Sequence, residues 1–152
     1  MALRNIRIND DPILRMVSRP VETVDRRTQI LIEDMFETMY DAGGVGLAAV
    51  QVGVLKRVIV IDTGEEGEKL VLINPEILKT DGVQTGEEGC LSFPGKAGIV
   101  TRPDIVTVKA MDEKGNWYTK TGKDLLARAF CHEIDHLNGD LYIDKVQKWV
   151  ER

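Results

Sequence analysis

The chain is built around Cys131-His132-Glu133-Ile134-Asp135-His136, near its C-terminal end. This stretch contains both histidines of the sequence, four positions apart. In a helix, that spacing places two side chains on the same face about one turn apart. The H-E-x-x-H arrangement offers two imidazoles to a metal ion, and the carboxylate of Glu133 to a water molecule bound there. The stretch therefore predicts a metal site on a helix.

The helix that carries this stretch is predicted to run from Gly122 or Lys123 to Asn138 and to be buried. At about 100° per residue, one side carries Leu125, Arg128, Ala129, His132, His136 and Gly139, and the other carries Leu126, Phe130, Ile134 and Leu137. A helix that is apolar nearly all round lies in a core. Buried imidazoles and carboxylates need partners, and a metal ion satisfies the imidazoles most simply.

Length and composition predict one domain spanning residues 1–152, with 43% hydrophobic residues available for a core. A net charge of −5 argues against a direct nucleic-acid partner. The sequence has no signal-like segment and no apolar run long enough for a bilayer, so we expect no membrane partner and a cytoplasmic location. Two cysteines are too few for a disulfide framework and favour metal or catalytic roles.

Local signals predict the order of the elements. Asp11-Pro12 indicates a short helical turn, and Asp25 indicates the cap of a longer helix that ends at Gly43-Gly44. Strands are predicted at 57–62, 69–74 (ending at Pro75), 76–80, 98–101, 103–112 and 116–121, with a hairpin turn at 113–116 and a last short strand at 141–143. Strands that precede a single buried helix predict an α+β domain.

Two glycine-rich segments are candidates for a binding site. Residues 44–51 have small side chains that permit close approach of another backbone, and Gln51 is their lone amide. A phosphate loop is disfavoured because the segment lacks the Gly-Lys-Ser/Thr ending, and a plain tight loop leading into a buried strand remains an alternative. In residues 86–95, glycines surround Cys90 in a predicted loop where a substrate could approach the backbone.

The third metal ligand must come from outside the histidine pair. Tyr142 stands where extended H-E-x-x-H peptidases have a third histidine, and the only downstream glutamate, Glu151, lies next to the C-terminus. Cys131 points about 100° away from its histidine neighbour round the helix. Cys90 is the best remaining candidate, and a structural Cys90–Cys131 disulfide is the alternative.

Three segments together resemble the signature motifs of the peptide deformylase family: residues 44–51 (GVGLAAVQ), 88–92 (EGCLS) and 132–136 (HEIDH). They occur in that family's order and near its spacing, and residues 11–15 (DPILR) match as well. The resemblance covers essentially the whole chain. It implies an α+β fold with antiparallel sheets packed around the central buried helix. The chain is similar to the shorter Gram-positive forms, because it stops soon after Trp149 without a long C-terminal helix.

By this resemblance, Cys90, His132 and His136 hold one divalent ion, natively Fe²⁺, for which Zn²⁺, Ni²⁺ or Co²⁺ can substitute. Glu133 would be the general base, and Gln51 with the backbone N–H of Leu91 would stabilise the oxyanion. The implied reaction is hydrolysis of the N-formyl group on the initiator methionine of new proteins, which releases formate. The implied substrate-binding residues are Val45, Gly46, Gly89, Leu125, Arg128 and Ala129.

The resemblance also raises specific expectations. The partners would be N-formylmethionyl peptides of nascent chains and, transiently, the ribosome, though not through a C-terminal helix. Glu88, Arg102 and Asp135 are candidates for orienting the imidazoles, and a simple salt bridge is an alternative for Asp135. Arg128 stands where some family members have an aliphatic residue, and Cys131 where many have glutamine. A generic metallopeptidase and a non-catalytic metal-binding domain are the rival functions.

Overall fold

The computed structural model describes residues 2–151 as an α+β fold of two antiparallel sheets and two α-helices. The strands are β1 (Gly46–Ala48), β2 (Val58–Asp62), β3 (Lys69–Asp81), β4 (Gln84–Gly89), β5 (Ala97–Arg102), β6 (Ile105–Met111), β7 (Trp117–Lys123) and β8 (Lys148–Val150). The α-helices are α1 (Arg26–Asp41) and α2 (Leu125–Leu137), and single 3-10 turns lie at Pro12–Arg15, Ala49–Val52 and Tyr142–Asp144.

The larger sheet separates the two helices. Its strands run in the order β1-β2-β3-β6-β7, and the smaller sheet has the order β4-β5-β8. Successive side chains of β2 point to opposite faces, so Ile59 and Ile61 join the core cluster of α2, whereas Val58 and Val60 join that of α1. A strand covered on both faces is apolar throughout, which explains the uninterrupted Val58–Ile61 run.

Helix α1 begins where its cap predicts. The Asp25 side chain accepts a hydrogen bond from the backbone N–H of Thr28 at 3.0 Å, which satisfies one of the free donors of the first turn. The Asp11 cap is likewise confirmed, although the helix it starts is only the 3-10 turn Pro12–Arg15. Ala42 ends α1 just before the predicted Gly43-Gly44 stop.

Helix α2 is the buried helix predicted around the two histidines, but it starts at Leu125 rather than at Gly122 or Lys123. Strand β7 continues to Lys123 and pairs Gly122 with Val106. Asp124 then turns the chain with φ of 53°. Strand pairing with β6 thus overrides the helical pattern for these residues.

The strand predictions need three corrections. The strands predicted at 69–74 and 76–80 form one strand that continues past Pro75 to Asp81, because the β3–β6 register shifts between Ile73 and Glu76 and a proline is tolerated at such a bulge. The strand predicted at 103–112 begins only at Ile105, and residues 141–143 enter a 3-10 turn instead of a strand. Strands β4 and β8 were not predicted, since Gln84–Gly89 lacks the apolar alternation of a strand.

Among residues 2–151, no helix combines the length and the apolar character needed to cross a membrane.

Candidate active site

A cavity of about 550 Å³ opens between the start of α2, the segment before β1 and the turn that follows β4. The residues that line it are Ala42, Gly43, Gly44, Val45, Gly46, Gln51, Glu87, Glu88, Gly89, Cys90, Leu91, Phe93, Pro94, Gly95, Lys96, Leu125, Arg128, Ala129, His132 and Glu133. Every residue predicted to bind substrate or to catalyse lies in this set. Three separate parts of the sequence therefore converge on one cavity.

The predicted ligand residues Cys90, His132 and His136 lie together, and two of them, Cys90 and His132, line this cavity. One ligand atom from each lies within 4.8 Å of the others, and the Cys90 sulfur is 3.3 Å from Nε2 of His136. The histidines project from successive turns of α2, whereas the cysteine follows directly after β4. A thiolate with two imidazoles suits Fe²⁺, Zn²⁺, Ni²⁺ or Co²⁺ better than Mg²⁺ or Ca²⁺, so the residues fit a transition-metal site.

Cys131 lies outside this group. Both cysteines are free, so the alternative of a Cys90–Cys131 disulfide is wrong. Burial raises the pKa of the Cys131 thiol to about 11, which keeps it protonated near neutral pH. The helical spacing predicted that the Cys131 and His132 side chains point in different directions, and in the structure Cys131 lies apart from the ligand group.

The Glu133 carboxylate is buried beside the ligand group. Its Oε2 is 4.0 Å from Nε2 of His132, and its Oε1 has no hydrogen-bond partner among the described residues. Burial raises the pKa of Glu133 to about 7, although the neighbouring His132 opposes this shift. A buried carboxylate with a free oxygen is suited to accept a proton from a reacting water molecule.

Gly46 makes room for this carboxylate. A Cβ atom at position 46 would lie 2.7 Å from Oε2 of Glu133, which is closer than a carbon and an oxygen can pack. Glycine at position 46 on β1 therefore allows the Glu133 side chain of α2 to take its position. The sequence indicated only that this segment permits a close approach.

Gln51 is held with its amide nitrogen towards the ligand group. The backbone N–H of Ala48 donates to Oε1 at 2.9 Å, while Nε2 donates to the hydroxyl of Ser92 at 3.0 Å and lies 3.6 Å from the Cys90 sulfur. The amide nitrogen thus lies beside the ligand residue Cys90 at the cavity wall. Gln51 lies in the 3-10 turn after β1. Residues 44–51 are therefore not merely a loop before a strand, because they include a short strand followed by a helical turn.

Glu88 orients one of the imidazoles. Its Oε2 accepts a hydrogen bond from Nδ1 of His132 at 2.6 Å, which leaves Nε2 of that ring for the ligand group. Burial alone would raise the pKa of Glu88, but the bonds from His132 and Arg102 outweigh it and hold the pKa well below its usual range. Glu88 is therefore a carboxylate that accepts and never donates.

Arg102 links this carboxylate to the surface of the molecule. It donates to Glu88 from Nε at 3.1 Å and from Nη2 at 2.6 Å, and from Nη1 to Asp135 at 2.8 Å. Asp135 also pairs with Lys145 at 3.2 Å. Both ideas about Asp135 hold in part, because it forms salt bridges and it does so with an arginine that supports the site.

Residues 3–152 match the model of the polypeptide deformylase family. The chain belongs to this family. Among curated proteins, it is 63% identical over 147 residues to the peptide deformylase of Lachnoclostridium phytofermentans, covering 96% of this chain and 90% of that protein. The peptide deformylase of Agathobacter rectalis is 58% identical, covering 97% of this chain and 92% of that one.

Solved peptide deformylase structures have the same fold. The enzyme of Legionella pneumophila superposes with a TM-score of 0.92 at 50% identity, covering 95% of this chain and 86% of that one. The enzyme of Synechococcus elongatus in complex with actinonin gives 0.91 at 43% identity, covering 95% of this chain and 80% of that one.

The predicted family, its Gram-positive relatives, the α+β fold and the deformylase activity are thus confirmed. The chain is a metal-dependent hydrolase that removes N-formyl groups from new polypeptides.

The deformylase site also contains residues that sequence reasoning missed. Tyr142 packs against the His132 ring with centroids 5.7 Å apart, and it stands where a third histidine had been sought. Ser92 fixes the Gln51 amide, and Lys96 lines the cavity. Ser92 lies within the motif at 88–92, so its position was a usable signal. Tyr142 was noticed only as the residue in place of a third histidine, and nothing local distinguishes Lys96.

Proposed function

We propose that Cys90, His132 and His136 hold one divalent ion, Fe²⁺ in the native enzyme, for hydrolysis of the formyl amide of N-formylmethionyl peptides. The observation that carries this assignment is the buried, unpartnered Glu133 oxygen beside three converging ligand atoms. When bound, the ion acts as a Lewis acid that acidifies water and polarises a carbonyl group.

Glu133 carries the proton through the reaction. Its carboxylate accepts a proton from the attacking water as the new oxygen–carbon bond forms at the formyl carbon. The same group then donates that proton to the methionine nitrogen as the carbon–nitrogen bond breaks. The products are formate and a free amino terminus, so one side chain serves first as base and then as acid.

Gln51 and the backbone N–H of Leu91 stabilise the negative charge that develops on the formyl oxygen. The Gln51 amide is held in place by hydrogen bonds from the Ala48 N–H and to the Ser92 hydroxyl, and its nitrogen also contacts the Cys90 sulfur. Donors that are fixed before the reaction need no reorganisation when charge develops. Leu91 follows the ligand Cys90 directly, so its N–H belongs to the same turn.

The peptide binds as an added strand between two sheets. β1 and β4 are both edge strands, and both contribute residues to the cavity. Val45 and Gly46 on one side and Gly89 on the other present backbone groups to an extended chain. The methionine side chain then contacts Leu125, Arg128 and Ala129 on α2. Actinonin, which the Synechococcus relative binds, would occupy the same cavity.

The proposed substrates, which are nascent peptides, indicate where in the cell the protein acts. We place the protein in the cytoplasm, as a single catalytic domain that meets nascent chains and contacts the ribosome only transiently. Its net charge of −5 gives no reason to expect direct nucleic-acid binding.

The deciding experiment compares a formyl-Met peptide with the same peptide lacking the formyl group. Protein loaded with Fe²⁺ without oxygen should release one formate per formylated peptide and should cleave no internal bond in either. Cleavage within the peptides would favour a metallopeptidase, and absence of formate would contradict the proposal. Glu133→Ala should retain the ion but lose on the order of 10²–10⁴ in rate.

The native ion needs its own test. Metal analysis of protein purified without oxygen should find Fe²⁺, and activity should decay in air but persist after substitution with Ni²⁺. A preparation that contains Zn²⁺ alone and is stable in air would contradict the iron assignment while leaving the ligand set unchanged.

A further inference from the structure

Arg128 makes contacts that its place in the cavity wall does not require. The side chain lies one turn before His132 on α2 and is only 7% exposed. Its Nη1 donates to Oε1 of Glu88 at 2.7 Å and to the Val100 carbonyl at 3.1 Å. Its Nη2 donates to Oε1 of Gln84 at 3.3 Å. A planar guanidinium is therefore held by acceptors from both β4 and β5.

The carboxylate that Arg128 contacts is the one that orients His132. Glu88 receives Arg128 and Arg102 at Oε1, and Arg102 and the His132 ring at Oε2. Arg102 is shared with Asp135, whose side chain is 20% exposed. Arg128 instead donates its second hydrogen bond to the backbone carbonyl of Val100, a residue that is fully buried. The two arginines thus support Glu88 with different second anchors, Val100 for Arg128 and Asp135 for Arg102.

We propose that Arg128 is a positioning residue that fixes Glu88 from the substrate side and so keeps the His132 ring directed at the metal. This inference rests on the proposed function. It assigns a second role to a residue that the substrate itself would touch. The metal site and the methionine pocket then share one side chain, so a change in the pocket wall at position 128 alters metal binding.

Gly86 lies beside the Arg128 guanidinium on β4. A Cβ atom there would lie 3.6 Å from Nη2 of Arg128, in ordinary van der Waals contact. An aliphatic residue at position 128 would leave Oε1 of Glu88 with the Arg102 Nε bond alone.

The test measures Co²⁺ affinity of the metal-free full chain by competition with a chelator, together with the visible absorption of bound Co²⁺. Arg128→Met should weaken Co²⁺ binding by roughly 10-fold, the lower end of the effect of losing a group that orients a metal ligand, because Arg102 still holds Glu88. Arg128→Lys should recover part of the affinity, because an ammonium retains one bond to Glu88 but not the three-acceptor geometry. If Arg128→Met shows no cooperative unfolding and is therefore not folded, Arg128→Gln is measured instead. The same loss of Co²⁺ affinity is expected.

A double-variant cycle then shows whether Arg128 acts through Glu88. In the Glu88→Gln background, Arg128→Met should change Co²⁺ affinity less than about twofold, since the carboxylate that it positions is already gone. Independent, multiplying effects of the two changes would overturn the proposal. So would an Arg128→Met protein that binds Co²⁺ like the parent and differs only in KM.

Two control variants separate the possible causes. Leu125→Ala alters the same cavity wall without touching the network, so KM should change while Co²⁺ affinity stays constant. Arg15→Met removes an exposed arginine that pairs with Asp144 and should leave Co²⁺ affinity unchanged. Cys90→Ser in the otherwise unchanged chain tests the ligand assignment itself. If this variant keeps the Co²⁺ affinity of the parent, the ligand assignment has failed, which is a different result from failure of the Arg128 role.

Discussion

Single side chains in this protein are fixed by very short distances. Glu133 occupies the space that a Cβ at Gly46 would fill, and Cys90 lies 3.3 Å from His136 while Cys131 is buried elsewhere on the same helix. The two cysteines are thus chemically alike but differ in where they point. At this scale, the structure predicts that conservative substitutions have very unequal effects.

Cys90→Ser and Cys131→Ser form a matched pair. Serine at position 90 replaces a soft thiolate with a hydroxyl that binds transition metals weakly, so metal content after dialysis should fall well below one ion per chain. Serine at position 131 should leave it near one. Metal analysis by mass spectrometry decides the matter, and equal losses in both variants would overturn the ligand set.

Gly46→Ala should slow catalysis without removing the metal. The added methyl group would force the Glu133 carboxylate to move, and a misplacement of about 1 Å can cost on the order of 10²-fold in rate. Steady-state kinetics with formyl-Met peptide should therefore show a lower kcat at unchanged metal content. In the Glu133→Ala background the same substitution should lower kcat no further, and an additional loss there would contradict the explanation.

At the scale of elements, α2 has two duties. It fills the core between the sheets with Leu126, Phe130 and Leu137, and it carries two ligands, the base and Arg128. It packs closely on β7, because a Cβ at Gly122 would lie 2.6 Å from Cγ of Leu126 and 2.8 Å from Cε2 of Phe130. Packing at Gly122 therefore affects the element that holds the site.

Gly122→Ala should destabilise the fold by overpacking this contact. The expected loss is about 1–3 kcal/mol in the free energy of unfolding, measured by urea denaturation of the metal-free protein. Thr119→Ala is the matched control, because Thr119 lies on the same strand but is exposed, and its effect should stay within about 0.5 kcal/mol. Equal effects would mean that α2 can shift to accept the methyl group.

At the scale of the whole molecule, the N-terminal segment ties the outer helix to the rest. The backbone N–H of Ala2 donates to Asp34 at 2.7 Å, and Nε of Arg4 donates to the same carboxylate at 3.0 Å. Asp34 lies on α1 and is only 4% exposed. Burial would raise the pKa of this carboxyl, but the bonds from Ala2 and Arg4 outweigh it and lower the pKa.

This contact should make stability depend on pH in one direction. A carboxyl with a lowered pKa in the folded state stabilises the fold above its ordinary pKa of about 3.9, and that contribution is lost as pH falls through the folded-state value. Asp34→Asn should therefore lower the free energy of unfolding near pH 7, and the difference from the parent should shrink towards about pH 3. Glu33→Gln, at an exposed neighbouring position, should change little at either pH.

A constant difference between the Asp34→Asn and parent proteins across this pH range would show that the amide loses something other than the carboxylate's charge. Urea denaturation at the two pH values, with metal removed, measures both quantities directly.

Local sequence accounts for much of this protein. The Asp25 cap, the buried helix around His132 and His136, the hairpin turn at 113–116 and the existence of strand β2 all follow from spacing and side-chain type. These features depend on residues only a few positions apart, so a short segment of the sequence is enough to predict each of them. The motifs of the family were recognisable for the same reason.

Other features depend on contacts across the chain and could be decided only by the tertiary structure. Strand β4 forms because β5 pairs with it, not because Gln84–Gly89 favours a strand, and β3 continues past Pro75 because its partner accommodates a bulge. Likewise, the sequence by itself determined that His132 and His136 share a helix face and need a third ligand. That Arg128 supports Glu88 could be decided only in three dimensions, because a hydrogen bond between residues 40 positions apart leaves no local pattern.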